Sequence, residues 1–319
     1  MKKDQGKRPR QPMRVQVRQG SRAERRYYRD SALPGEKWSA PSKVARGAEV
    51  SPLDDLMFHG GKLVPQMQFQ NVYLGGKRPW SFKDIEAIDG ALENAMRDER
   101  LNNVMRQYFP GQALSCDSRP SFIVEHAKAR TVGEADIRAL LLRLFQDRAI
   151  SRRDLGATIF NFILPPGAVL RLNGSSSLSG LGGYHGSVHA PSGTRSATLY
   201  YAASAYSKFD VFGRENGVVV FDWPWKNVVA TLYHQMNEFR TDPDVCDAIR
   251  TRRNEVLGWA SRWGREVGDQ PIFAAPDLRQ VFEEVRTVSG RATVPVQFMY
   301  SNAAHSAQGP IPRPHVGPR

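Results

Sequence analysis

Cysteine is almost absent from this 319-residue chain, which has only Cys116 and Cys246. Two thiols so far apart cannot form a zinc knot, and they predict reduced side chains rather than a disulfide framework. Long apolar runs are missing too. No window approaches the ~18 uninterrupted apolar residues of a membrane span, so none is expected. Gly-x-Ser-x-Gly does not occur, which removes the nucleophile elbow of an α/β hydrolase. The glycine-rich run ending in Gly180-Leu181-Gly182-Gly183 has His185 where a dinucleotide fingerprint needs its third glycine. No helical pattern opens there, so a nucleotide-binding loop is excluded.

Acidic residues are scarce in one region. The formal net charge is +13, and residues 1–50 hold 14 Lys and Arg against 5 Asp and Glu. That arm has too few apolar residues to offset the entropy of ordering, so disorder is expected over 1–50. Such a tail binds nucleic acid or an anionic surface by counterion release, or is simply solvated. No apolar h-region follows the basic start. A cytoplasmic location is therefore expected for the chain as written, and secretion if its start site is misassigned. The composition, 40% hydrophobic and 10% aromatic, fits one folded domain over 51–308, with a disordered tail at 309–319 that carries four prolines.

Periodicity within 51–308 predicts an α+β fold of α/β type, a mixed sheet packed by several helices. Strands are expected at 67–74, 121–125, 158–164, 184–190, 197–204, 218–221 and 294–300. Helices are expected at 81–108 with a kink near Arg100, at 132–147, at 224–241, at 244–253 and at 277–285. The central one is 224–241. Asp222 is its expected cap, Pro224 suits its first turn, and Pro243 biases Asp242 out of the α region. Val228, Val229, Leu232, Tyr233, Met236 and Phe239 recur at spacings of three and four, so this helix should be buried on several sides.

A polar stripe runs through that apolar helix. Asn227, Thr231, His234 and Glu238 are three or four residues apart and point the same way. An imidazole and a carboxylate one turn apart can reach one metal ion, as the two histidines of H-E-x-x-H do with zinc. They also describe a plain hydrogen-bonded pair on a half-buried face. The run here is H-Q-M-N-E, so Gln235 stands at the general-base position, and an amide cannot take a proton at neutral pH. A third ligand for Zn2+ is expected from Glu266 or Asp269 in the glycine-bracketed turn Gly264–Asp269. His185 and His189 share one face of a strand, and Tyr184, His185 and Asp242 are expected to line the cleft.

His234, Glu238, Thr241, Asp242 and Pro243 also match a longer run, His-Glu-x-x-Glu-x-x-Thr-Asp-Pro, with Gln235 as the departure. Downstream, Trp259 precedes Gly264-Arg265-Glu266-Val267-Gly268-Asp269. Upstream come His59-Gly60-Gly61, then Gly75-Gly76 before Trp80, then Gly182-Gly183-Tyr184-His185. In these motifs, over about residues 53–305, the chain resembles the phosphate-induced protein/EXORDIUM-like family. The resemblance implies a zincin-like fold and a metal site of reduced or absent hydrolytic activity. The alternatives are a non-catalytic surface or wall module that binds a glycan or peptide, and a nucleic-acid or anionic-surface partner acting through residues 1–50.

Overall fold

Alternating apolar residues build one mixed sheet. Its strands are β1 (Val15–Val17), β2 (Gln66–Leu74), β3 (Ser115–Val124), β4 (Thr158–Ile163), β5 (Leu181–Ser192) and β6 (Arg195–Ser204). Across the sheet they lie in the order β1-β5-β6-β4-β2-β3. The four from β6 to β3 run parallel, while β5 is antiparallel to β6 and to β1. The computed structural model describes residues 50–125, 130–192 and 195–315, and the backbone of 15–17, 44–45 and 47–48. Within the arm expected to be disordered, those three short segments are therefore strands, and the rest of the arm lies outside the described residues.

Six helices matter to the site and its frame: α1 (Phe82–Arg97), α2 (Glu99–Met105), α3 (Glu134–Gln146), α4 (Pro224–Thr241), α5 (Val245–Thr251) and α6 (Asp269–Ala274). Strands β7 (Phe282–Arg286), β8 (Thr293–Gln297) and β9 (Met299–Ser301) follow. The fold is α+β, as the periodicity predicted. Because successive strand residues face opposite sides, the sheet sorts its own core. Val72, Leu74, Phe160, Phe162, Tyr184 and Tyr201 pack with Ile137, Leu140, Leu141 and Leu144 of α3. Phe69, Tyr73, Ile159, Ile163 and Tyr200 pack on the other face with α1 and α4.

Helix α4 spans the predicted bounds, and every residue from Asn227 to Thr241 is buried. Its start departs from expectation. The N-cap position falls at Trp223 and no side chain caps it, so Asp222 is not the cap. The approach at 218–221 is not a strand, because Asn227 holds it: Asn227 Oδ1 accepts from the N–H groups of Val220 and Phe221. Asn227 is thus a structural member of the polar stripe. The long helix at 81–108 divides at Asp98, whose carboxylate accepts from the N–H groups of Arg100 and Leu101 and begins α2.

Three further expectations change at the end of the chain. Asp277 caps only the single 3-10 turn Leu278–Gln280, since its side chain accepts from Arg279 N–H. The rest of the expected helix is β7, in which Phe282 and Val285 are buried and which pairs antiparallel with β8. The tail expected to be disordered is docked through residue 315. Ile311 N–H donates to Arg100 O, and Asn103 Nδ2 donates to Ile311 O.

Candidate metal centre

The site forms where α4 crosses β5. Gly183 permits the crossing: a Cβ there would stand 2.7 Å from Thr231 Cγ2 and from Ala203 O. With the helix that close, the next residue on the same face of β5 is His185, which meets α4 at Gln235 and Glu238. His185 Nδ1 is 3.1 Å from Gln235 Oε1 and 3.4 Å from Glu238 Oε2. One helical turn before Glu238, His234 Nε2 lies 2.9 Å from Glu238 Oε1. His185 and Glu238 are 1% and 0% exposed, and His234 is 0% exposed, so the half-buried pair considered above is not what forms.

The turn from Gly264 to Asp269 comes in from later in the chain and is fixed at several points. Gly264 has φ +77°, Ser261 N–H donates to Arg265 O, and Tyr300 N–H of β9 donates to Val267 O. Glu266 Oε1 is thereby set 3.7 Å from His185 Nε2. Asp269 opens α6 and joins His234 and Glu238. Donor atoms of His185, Glu238 and Glu266 all lie within 4.8 Å of one another, and so do those of His234, Glu238 and Asp269. Both acidic residues proposed for a third ligand are thus present, one in each set.

Two residues orient His234. Gln297, at the end of β8, presents Oε1 to His234 Nδ1 at 2.9 Å while its Nε2 donates to Gly268 O. The imidazole proton is therefore held at Nδ1, and Nε2 is turned toward Glu238 and Asp269. Gly268 supplies the space. A Cβ there would be 2.5 Å from Nδ1 and 2.9 Å from Cγ of His234. Neither residue was among the expected site residues. Gln297 did leave a signal, as the one polar residue in the apolar run from Val294 to Tyr300 apart from the tyrosine hydroxyl.

The remaining expected residues divide. Gln235 is buried and contacts His185, so it braces that histidine as Gln297 braces His234. Tyr184 does not line a cleft here. It follows the strand alternation onto the α3 face, edge-on to Tyr201. Asp242 is buried below the cluster, where its Oδ1 accepts from Gly258 N–H at 3.0 Å. Burial pushes its carboxyl up to about 8, against the pull of that N–H and reinforced by Asp244 and Glu238. His189 shares the face of His185 but is partly exposed and pairs with Asp247 at 2.9 Å. His59 contacts Ala260 O at 3.3 Å and stands outside the cluster. Cys116 and Cys246 are both free thiols.

The donor set fits a metal ion. Burial works against the Glu238 anion, yet His234 and His185 hold its carboxyl below the ordinary range. Glu238 is paired with His234 Nε2 at 2.9 Å and His185 Nδ1 at 3.4 Å, and Glu266 and Asp269 stand within ligand spacing of the same group. Three carboxylates buried beside two imidazoles cost several kcal/mol unless their charge is balanced, and a bound cation would supply that balance. Imidazole and carboxylate, with no thiolate, suit zinc and its first-row neighbours. Comparison with known proteins adds no relative: no protein-family model, curated protein or solved structure matches the chain.

Proposed function

We propose that this chain is an EXORDIUM-like, zincin-like protein whose buried histidine and carboxylate residues bind a divalent cation, zinc by its donor set, with weak or absent hydrolytic activity. The observation that carries this reading is Glu238, wholly buried, whose two oxygens face two imidazoles with Glu266 and Asp269 within ligand spacing. His234 and Glu238 would be ligands from one helix, with Glu266 or Asp269 from the following turn and His185 from the sheet. An ion held there supplies Lewis acidity toward a carbonyl or a water. What the protein withholds is the base. Gln235 is an amide with no basic lone pair at neutral pH, and its oxygen is occupied by His185. Loss of a general base commonly lowers rate by roughly 10² or more. These residues therefore favour holding the ion over turnover.

The deciding experiment is metal analysis of the purified full chain. At least one equivalent of zinc per chain is expected, and none in His234→Ala. A wild-type chain that carries no metal and takes up none when zinc is added overturns the reading. The hydrolytic half is tested by Gln235→Glu, assayed for peptide and ester cleavage with added zinc. Cleavage rising over wild type would identify position 235 as the missing base.

A further inference from the structure

Resting on the reading that the cluster binds a cation, we propose that it holds two divalent transition ions rather than one, bridged by the carboxylate of Glu238. The five donor residues do not make a single group. They divide into His185, Glu238 and Glu266, and His234, Glu238 and Asp269, each with its donor atoms within 4.8 Å, and only Glu238 belongs to both.

The division extends to the two oxygens of that carboxylate. Oε2 lies 3.4 Å from Nδ1 of His185 and Oε1 2.9 Å from Nε2 of His234, so each oxygen is nearest a different imidazole. A chelating carboxylate turns both oxygens to one ion, whereas a bridging one gives each oxygen to its own. Neighbouring ions in two-metal sites lie about 3.5–4 Å apart, a spacing that one carboxylate spans.

The two sets are alike in composition, though Glu238 meets His234 at Nε2 and His185 on its Nδ1 side. Each has one imidazole, one carboxylate of its own and a half share in Glu238. In each, a buried glutamine oxygen meets the imidazole Nδ1: Gln235 at 3.1 Å from His185, Gln297 at 2.9 Å from His234. Such outer partners fix the proton at Nδ1 and present Nε2 as a ligand. Nε2 of His185 is directed at Glu266, 3.7 Å away, and Nε2 of His234 at Glu238. Single-ion sites also use two or three braced histidines, so the count of histidines does not decide the matter. What separates the second histidine here is a carboxylate of its own, Glu266, 3.7 Å from its Nε2. In this arrangement Gln235 is a positioning residue for the second ion rather than a failed base.

The test is metal stoichiometry on the full chain, refolded or purified with excess zinc or manganese and desalted. Two equivalents are expected in wild type, one each in His185→Ala and His234→Ala, and none in the double variant. Circular dichroism melts verify that each variant is folded. Glu266→Gln and Asp269→Gln, which keep side-chain polarity, repeat the loss of one equivalent should an alanine variant fail to fold. Gln235→Leu is expected to weaken binding of one of the two ions 10- to 100-fold and leave the other unchanged. One equivalent in wild type overturns the two-ion proposal and leaves the single-cation reading intact. No metal in wild type overturns both. Two equivalents that persist in the double histidine variant place the second ion elsewhere and also overturn the proposal.

Discussion

The two faces of the central sheet are equally buried and differ in kind. Against α3, Val72, Phe160, Phe162, Ile137, Leu140 and Leu141 close an apolar layer. Against α4, the same strands contribute Asn71, Asn161 and His185, the helix adds His234, Gln235 and Glu238, and the later chain adds Glu266, Asp269 and Gln297. An apolar layer stabilises by removing surface from water, roughly 25 cal/mol for each Å². A buried polar group at best breaks even once it is hydrogen-bonded, and a buried charge costs several kcal/mol if it is not paired. The α3 layer and the apolar part of the α4 layer, Phe69, Tyr73, Ile159 and Leu232 among it, are therefore what folding requires. The polar part of the α4 layer carries a cost that folding alone gives no reason to accept, and the excess is centred on Glu238.

That contrast can be broken most forcefully from the apolar side. Leu141→Ala should lower unfolding free energy by about 2–5 kcal/mol in urea melts, with metal bound per folded chain unchanged. A change in metal content there would mean the two faces are not separable. On the polar side, Gly268→Ala drives a methyl against the His234 ring, and should cost about 1–3 kcal/mol and remove bound metal. Retention of full metal content would show that His234 can move aside and still serve. Gln297→Leu is close to isosteric and releases the His234 tautomer. It should weaken metal binding 10- to 100-fold in a chelator competition while the fold persists.

A smaller effect separates Asp242 from the cluster above it. Its folded carboxyl titrates at about 8, against an ordinary value of about 3.9. The protonated acid thus favours the fold fully at low pH, and the advantage is lost as the pH rises toward 8. Wild-type chain in EDTA should become less stable between pH 5 and pH 8, and Asp242→Asn, neutral throughout, should flatten that slope. A slope unchanged in the variant assigns it to other groups. The mildest probe is thiol labelling without denaturant. Half-exposed Cys246 should react, while Cys116, buried and with its thiol pushed up to about 11 mainly by burial, should react only on unfolding.

Legibility in the sequence followed the range of the interactions involved. His234 and Glu238 were legible as a pair because the helical period alone brings positions 234 and 238 together. The bounds of α4 were equally legible, since Pro224 and Pro243 act on their own backbone. Tyr184 and His185 are neighbours on a strand and cannot face the same layer, and only the packing of α4 decides which of the two is at the site. The stretch 277–285 reads as helix from its cap, because the pairing of β7 with β8 is not encoded within β7. Asp222 is not the cap because the helix begins at Pro224, which leaves Trp223 at the N-cap position.

Read alone, the chain determined an α+β domain with one buried helix, a histidine and a glutamate on one side of it, and an amide at the position where a hydrolase would carry its base. Those features depend on period, on proline and on side-chain chemistry, all properties of a few consecutive residues. Only the tertiary structure decided that His185, Glu266 and Asp269 meet that pair, that Gln235 and Gln297 each hold an imidazole, and that Glu238 turns one oxygen to each histidine. The physical reason is distance along the chain. Contacts between residues 185, 235, 266 and 297 are set by how the sheet, the helix and the later turn pack together, and no local pattern in any one of those segments specifies where the others will lie.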